Sequence, residues 1–289
     1  MQTPQLSIAA GKTEVRGRPR PALFRALGID NPPDNIVVEE RTFRHVRTFK
    51  HDSWAATALY VSDGRWIVCK FNRRQSIFGL PMLWLGRLLA RREARFLELL
   101  ADLPSIPATC GPVRCQGQIL PNAVAHRYVP GLPLRPSAAV GDDFFSALRE
   151  VLDELHRRGI AYIDLHKLEN VIVGSDGRPY LIDFQISLRL PQCWPFSPLQ
   201  RILRESDLYH WQKHVSRLRP DLCDCRDTNL QTRMPWWIRL HRRFAVPFRQ
   251  VRRRLLVLWG IRREAGSART EHCPEEAFRI RPEMASLAP

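Results

Sequence analysis

The sequence predicts an α+β protein of two lobes, a small antiparallel sheet followed by a mainly helical lobe. Three observations carry this expectation. β-prone runs follow one another at 36–38, 42–49, 55–61 and 66–71, the last two joined by Asp63-Gly64, a strong two-residue hairpin signal. Apolar residues then recur at helical spacing over 91–100 and again over 144–155. Finally, two short apolar runs, 171–173 and 180–182, flank the dense turn sequence Gly174-Ser175-Asp176-Gly177-Arg178-Pro179, which predicts a second hairpin.

Taken in order, residues 1–34 carry Gly-Arg-Pro-Arg-Pro and Asn-Pro-Pro with little apolar periodicity, so a mobile arm is expected. The first lobe spans 35–130. Its fourth strand contains a lone lysine, Lys70, in an otherwise apolar run, and an ammonium in that setting calls for an anion. An apolar insertion at 76–90, interrupted by Gly79, Pro81 and Gly86, leads into the helical pattern at 91–100, where Glu93 and Glu98 both qualify as the carboxylate for Lys70. Two more strands are expected between Pro112 and Val129, stopping at Pro130-Gly131-Leu132-Pro133, a break suited to a hinge. The second lobe spans 131–220. Asp142-Asp143 read as caps of a helix that closes at Gly159. Prolines 191, 195 and 198 exclude a long helix just after the second hairpin, and a helix is expected over 201–218. A basic extension fills 221–289, with disorder expected after about residue 265.

The chemistry gathers between Leu155 and Leu188. A hairpin brings its outer ends together, so Asn170, before the first strand, falls beside Asp183, at the end of the second. A carboxylate and an amide oxygen are donors that a hard cation such as Mg²⁺ selects. Asp164 stands on its own loop, placed to face a substrate hydroxyl. One general base and two metal ligands form the minimum set for phosphoryl transfer.

This stretch resembles the catalytic core of the protein-kinase-like superfamily, with its Asp-x-x-x-x-Asn loop followed by Asp-Phe-Gly. The resemblance is nearest to atypical bacterial branches, the lipopolysaccharide core sugar kinases and the RIO-type and aminoglycoside-phosphotransferase-like kinases. It implies a bilobal kinase-like fold, ATP and Mg²⁺ as cofactors, and roles for individual residues. Lys70, held by Glu93 rather than Glu98, would position the α- and β-phosphates. Asp183 and Asn170 would hold the Mg²⁺. Asp164 would accept the proton of the acceptor hydroxyl, with Lys167 meeting the γ-phosphate. His51-Asp52-Ser53-Trp54 stands where the family has its phosphate-covering glycines, with the Ser53 hydroxyl and backbone amides toward the phosphate. Asp207 would brace the catalytic loop. Three departures are plain: Tyr162-Ile163 replaces His-Arg, Gln185 replaces Gly, and the loop from Asp164 to Asn170 is one residue longer than the pattern. Either that loop bulges or Glu169 takes the place of the amide.

The chain has 289 residues and a formal charge of +16, with 45 Lys and Arg against 29 Asp and Glu, which directs it toward acidic partners. The expected partners are ATP, a hydroxyl-bearing glycolipid or protein substrate, and an anionic membrane surface. The membrane surface is suggested by Trp and Leu interleaved with Arg over 234–263. Nucleic acid is not expected. Seven cysteines without paired C-x-x-C spacing suit reduced thiols rather than a zinc site. No run approaches 18 apolar residues, and a cytoplasmic location, peripheral on the inner face of the cytoplasmic membrane, is expected. A non-catalytic kinase-like binding module is the alternative.

Overall fold

The computed structural model describes residues 21–222 and four further helical positions, 243, 250, 251 and 254. The expectations for residues 1–20, the Arg/Trp-rich segment and the C-terminal tail therefore lie outside the described residues, those four positions apart. The first lobe is built on a seven-stranded antiparallel sheet. Its strands are β1 (Asn35–Val38), β2 (Arg41–His51), β3 (Ala55–Ser62), β4 (Arg65–Asn72), β5 (Arg114–Cys115), β6 (Gln118–Ile119) and β7 (Ala123–Arg127), in the spatial order β6-β5-β1-β2-β3-β4-β7. Asp63 and Gly64 take positive φ (44° and 76°) in the β3–β4 turn, which pairs Ser62 with Arg65. That is the two-residue hairpin geometry the Asp-Gly dipeptide favours. Alternation along β4 sorts its side chains. Ile67, Cys69 and Phe71 enter the main core of this lobe, and Val68 joins Phe49 and Leu59 in a smaller apolar cluster flanked by Trp66 and Tyr128. Lys70 shares the Val68 face.

Helix α1 (Leu83–Leu99) begins well before the expected residue 91. Gly86, read in the sequence as a break, lies inside it because the helix presses on the end of β4. A Cβ at position 86 would stand 2.2 Å from the Arg73 carbonyl oxygen. Here glycine permits close packing rather than ending the helix.

Residues 21–34 also correct the sequence expectation of a mobile arm. Ala26 and Leu27 are buried, and Ala26 bonds through its backbone to Asp52, Arg74 and Gln75. The anchor is polar. Arg73, fully buried, donates to the carbonyls of Leu23, Ser53, Gln75 and Ser76, and Arg25 donates to those of Gly28 and Ile29.

The second lobe holds β8 (Gly131–Pro133), α2 (Phe144–Arg157), β9 (Ile160–Ala161), the hairpin β10 (Val171–Gly174) and β11 (Pro179–Leu181), β12 (Leu188–Arg189) and α3 (Ser197–Leu218). Two small sheets form, β11-β10-β8 and β12-β9. The largest apolar core runs from Phe96, Leu97 and Leu100 through α2 to Phe184 and Val215, so it joins the two lobes. The capping expectation fails in detail. Asp143 occupies the N-cap of α2 without a side-chain capping bond, and Asp142 pairs with Arg219 at 2.6 Å.

Candidate active site

The β10–β11 hairpin does what its sequence implies. Val171 pairs with Leu181, and the Ile182 amide donates to the Asn170 carbonyl at 3.0 Å, which leaves Asn170 beside Asp183. The long catalytic loop is absorbed by two successive 3₁₀ turns, Asp164–His166 and Leu168–Asn170. These settle the alternative left open above: Glu169 is exposed, while Asn170 is buried and donates to Asp164 Oδ2 at 2.9 Å. The loop bulges and the amide keeps its place.

Asp164 is buried and central. Its Oδ2 also receives Lys167 Nζ at 2.7 Å. Its Oδ1 is buried with no hydrogen bond to it, and His166 Nδ1 stands 3.2 Å away. Oδ2 thus holds the loop through two hydrogen bonds, while Oδ1 stands within ion-pair range of His166. On the first lobe, Lys70 Nζ lies 2.8 Å from Asp183 Oδ1 and 3.3 Å from Glu93 Oε2. The pairing picks Glu93, and Glu98 is exposed. Burial disfavours the charged lysine, yet Glu93 and Asp183 outweigh it and hold the Lys70 pKa above its ordinary value. Burial likewise opposes ionisation of Asp183, but Lys70 first and then Lys167 keep its pKa low. Glu93 is the member of the trio that yields. Burial, with Asp183 adding to it, outweighs Lys70 and pushes its pKa up to about 7.

A pH dependence follows. An unfolded glutamate releases its proton near pH 4.3 and the folded Glu93 only near 7, so the folded chain binds more protons in between. The resulting stabilisation is complete below about pH 4.3 and is lost as pH rises through about 7. Glu93→Gln removes this slope. The thermal midpoint of the parent relative to the variant should fall on the order of 5 °C between pH 5 and pH 7.5. Parallel curves would show that Glu93 is ionised throughout.

Sequence reasoning missed several groups that hold the site in shape. Arg92 on α1 donates to the carbonyls of Gln185 (3.0 Å) and Ser187 (2.6 Å), and the Gln185 amide donates to Asn72 Oδ1. Phe184 stacks on Phe96 and meets Tyr162 edge-on. The Tyr162 hydroxyl donates to the Ile182 carbonyl. Backbone carbonyls leave no side-chain signature, which is why these links could not be read from sequence. His126 pairs across from Val68 on the Lys70 face, and burial lowers its pKa to about 4. Asp207, by contrast, was within reach of sequence reasoning. Wholly buried on α3, it accepts from the Tyr162 amide (2.8 Å), the Ile163 amide (2.7 Å) and His156 Nε2 (3.1 Å).

The phosphate-covering hairpin is placed differently from the resemblance. Ser53 donates its hydroxyl to the Phe24 carbonyl at 3.3 Å, and its own carbonyl receives Arg73. The amides of Trp54 and Ala55 are taken by Asp52 Oδ1 at 2.7 and 3.0 Å. Among the described residues no group of three or more His, Cys, Asp or Glu side chains would hold a metal unaided. Asp183 with the Asn170 amide oxygen, completed by phosphate oxygens and water, is still the sparse oxygen set that Mg²⁺ accepts.

An antiparallel sheet whose Lys70 pairs with a helix carboxylate, over a mainly helical lobe presenting Asp164, Asn170 and Asp183 on one loop and hairpin, is an α+β arrangement similar to the protein-kinase-like fold. No protein-family model matches the chain, and no curated protein matches it. Among solved structures it is similar to the Rio2 kinase of Chaetomium thermophilum. Against that kinase's ADP/Mg²⁺-phosphoaspartate complex the identity is 15%, the TM-score 0.46, and the match covers 60% of this chain and 55% of that one. Against a second structure of the same kinase the values are 15% and 0.43, covering 57% and 54%. The chain thus spans about half the length of these structures.

Proposed function

We propose that this chain is an ATP- and Mg²⁺-dependent phosphotransferase acting on a hydroxyl acceptor. The observation that carries the reading is Lys70, partly buried between Glu93 and Asp183 and facing a loop on which Asp164 is bonded to both Lys167 and Asn170. Lys70 would bind the α- and β-phosphates, its charge secured by the two carboxylates. The apolar cluster of Phe49, Leu59 and Val68 on the same face of the sheet would shield a nucleobase from water. Asp183 and Asn170 would hold Mg²⁺, which neutralises charge on the β- and γ-phosphate oxygens when bound. Asp164 Oδ1 would take the proton of the acceptor hydroxyl. Lys167, already paired with Asp164, would stabilise charge developing on the transferred group.

The acceptor reading is an envelope glycolipid such as a lipopolysaccharide core sugar, with a protein Ser or Thr as the other candidate. A cytoplasmic position, peripheral on the inner membrane face, suits the net charge of +16. One observation favours a second reading, a kinase-like module that binds without catalysis. Asp52 satisfies the two hairpin amides that would otherwise cover a phosphate, and it sets a carboxylate there. Thermal unfolding with millimolar ATP, with and without Mg²⁺, separates the two. The phosphotransferase reading expects a Mg²⁺-dependent rise in midpoint that Asp183→Asn abolishes. No shift with either addition leaves the binding module.

A further inference from the structure

We propose that the turn at Phe78-Gly79 and the exposed stripe of α1 beside it form an apolar prong that docks this chain on an anionic lipid bilayer. Ile77 and Leu80 exchange both backbone hydrogen bonds, at 3.1 and 2.9 Å, closing a two-residue turn. Its central residues, Phe78 and Gly79, both have positive φ, 48° and 83°. Gly, Asn and Asp are the usual occupants of such positions, and a phenylalanine there is conformationally strained. Core packing does not compensate the strain, because Phe78 is 80% and Leu80 67% exposed. The apolar surface continues onto α1 with Trp84 and Leu88, 61% and 47% exposed and one helical turn apart. Arg87 and Arg91 are exposed on the same stripe.

Charge identifies the occupant. The twenty residues from 73 to 92 contain no Asp or Glu, and of their five arginines Arg73 and Arg92 are engaged with main-chain carbonyls and Arg74 with Asp30, so the positive charge of the exposed stripe is that of Arg87 and Arg91. Aromatic and leucine side chains flanked by Arg87 and Arg91 match the bilayer interface, where the rings enter the acyl boundary and guanidinium groups meet lipid phosphates. Four protruding side chains supply less surface than the roughly 800 Å² per partner of a stable protein interface. The docking surface is read by binding alone and stands apart from the phosphotransferase reading.

The test is sedimentation of the full chain with vesicles of phosphatidylcholine, pure or containing about 30% phosphatidylglycerol, in about 0.15 M salt. The unaltered chain should partition onto the anionic vesicles. Phe78→Gly/Leu80→Ser relieves the strained φ at 78, so it should keep the thermal midpoint while partitioning falls at least about tenfold. Arg87→Gln/Arg91→Gln should lose the preference for anionic lipid. The proposal is overturned if the unaltered chain stays in solution. It is equally overturned if the prong variant partitions as the parent does, which would assign membrane binding to another segment such as 234–263.

Discussion

Asp164→Ala should reduce phosphoryl transfer by about 10²–10³-fold, the usual loss when a positioned group acting on the transition state is removed. The variant deletes the carboxylate whose buried Oδ1 has no hydrogen bond, and it releases Lys167 and the Asn170 amide from Oδ2. Nucleotide binding should largely survive, because the Lys70 contacts to Glu93 and Asp183 do not involve Asp164. Asp164→Asn refines the result. An amide oxygen can still receive Lys167 but cannot accept a proton at neutral pH, so this variant should be as slow as the alanine variant if the carboxylate is the base. Steady-state turnover, with nucleotide affinity measured in parallel, makes the comparison. Turnover within about threefold of the parent in Asp164→Asn would remove Asp164 from that role.

The second large effect concerns stability. Asp207→Ala leaves the Tyr162 and Ile163 amides and His156 Nε2 without their acceptor inside the protein. Ile163 also has φ +70°, a region that β-branched residues avoid, and the Asp207 carboxylate is what holds its amide there. Leaving a buried donor unsatisfied costs about 1–3 kcal/mol, so losing the acceptor of all three should cost roughly 3–5 kcal/mol once water relieves part of it. For a domain of this size that corresponds to a midpoint lowered by about 10 °C. Hydrogen exchange supplies a local readout, since the Tyr162 and Ile163 amides should lose protection before the rest of the lobe. An unchanged midpoint with unchanged protection at both amides would show that the loop holds its own shape.

How legible each part was depends on the kind of interaction involved. Lys70 stood out because an ammonium inside an apolar strand is chemically conspicuous, and Asn170 and Asp183 followed from hairpin geometry. The choice between Glu169 and Asn170 was not available, since it depends on how two 3₁₀ turns take up one extra residue. The start of α1 was misplaced because glycine in a helical run reads as a break, whereas Gly86 is there to let the helix touch the Arg73 carbonyl. Residues 21–34 were misjudged for a related reason. Their attachment is made by Arg25 and Arg73 donating to main-chain carbonyls, and apolar periodicity does not register that kind of anchor. Ser53 was placed by analogy of position. The backbone turns its hydroxyl toward Phe24, and Asp52 supplies the turn's own acceptor.

The Arg92 bonds to Gln185 and Ser187 have a thermodynamic consequence. They fasten the helix that carries Glu93 to the strand end that carries Asp183, and Gln185 fastens the same segment to Asn72 at the end of β4. A protein whose competent state is a minor one binds its ligand more weakly by the fraction of molecules in that state. Any state in which α1 is reseated gives up the two Arg92 bonds together with the Lys70–Glu93 pair, so the arrangement of the lysine and both carboxylates is the favoured one and an effector acting on α1 would have to offset all three contacts.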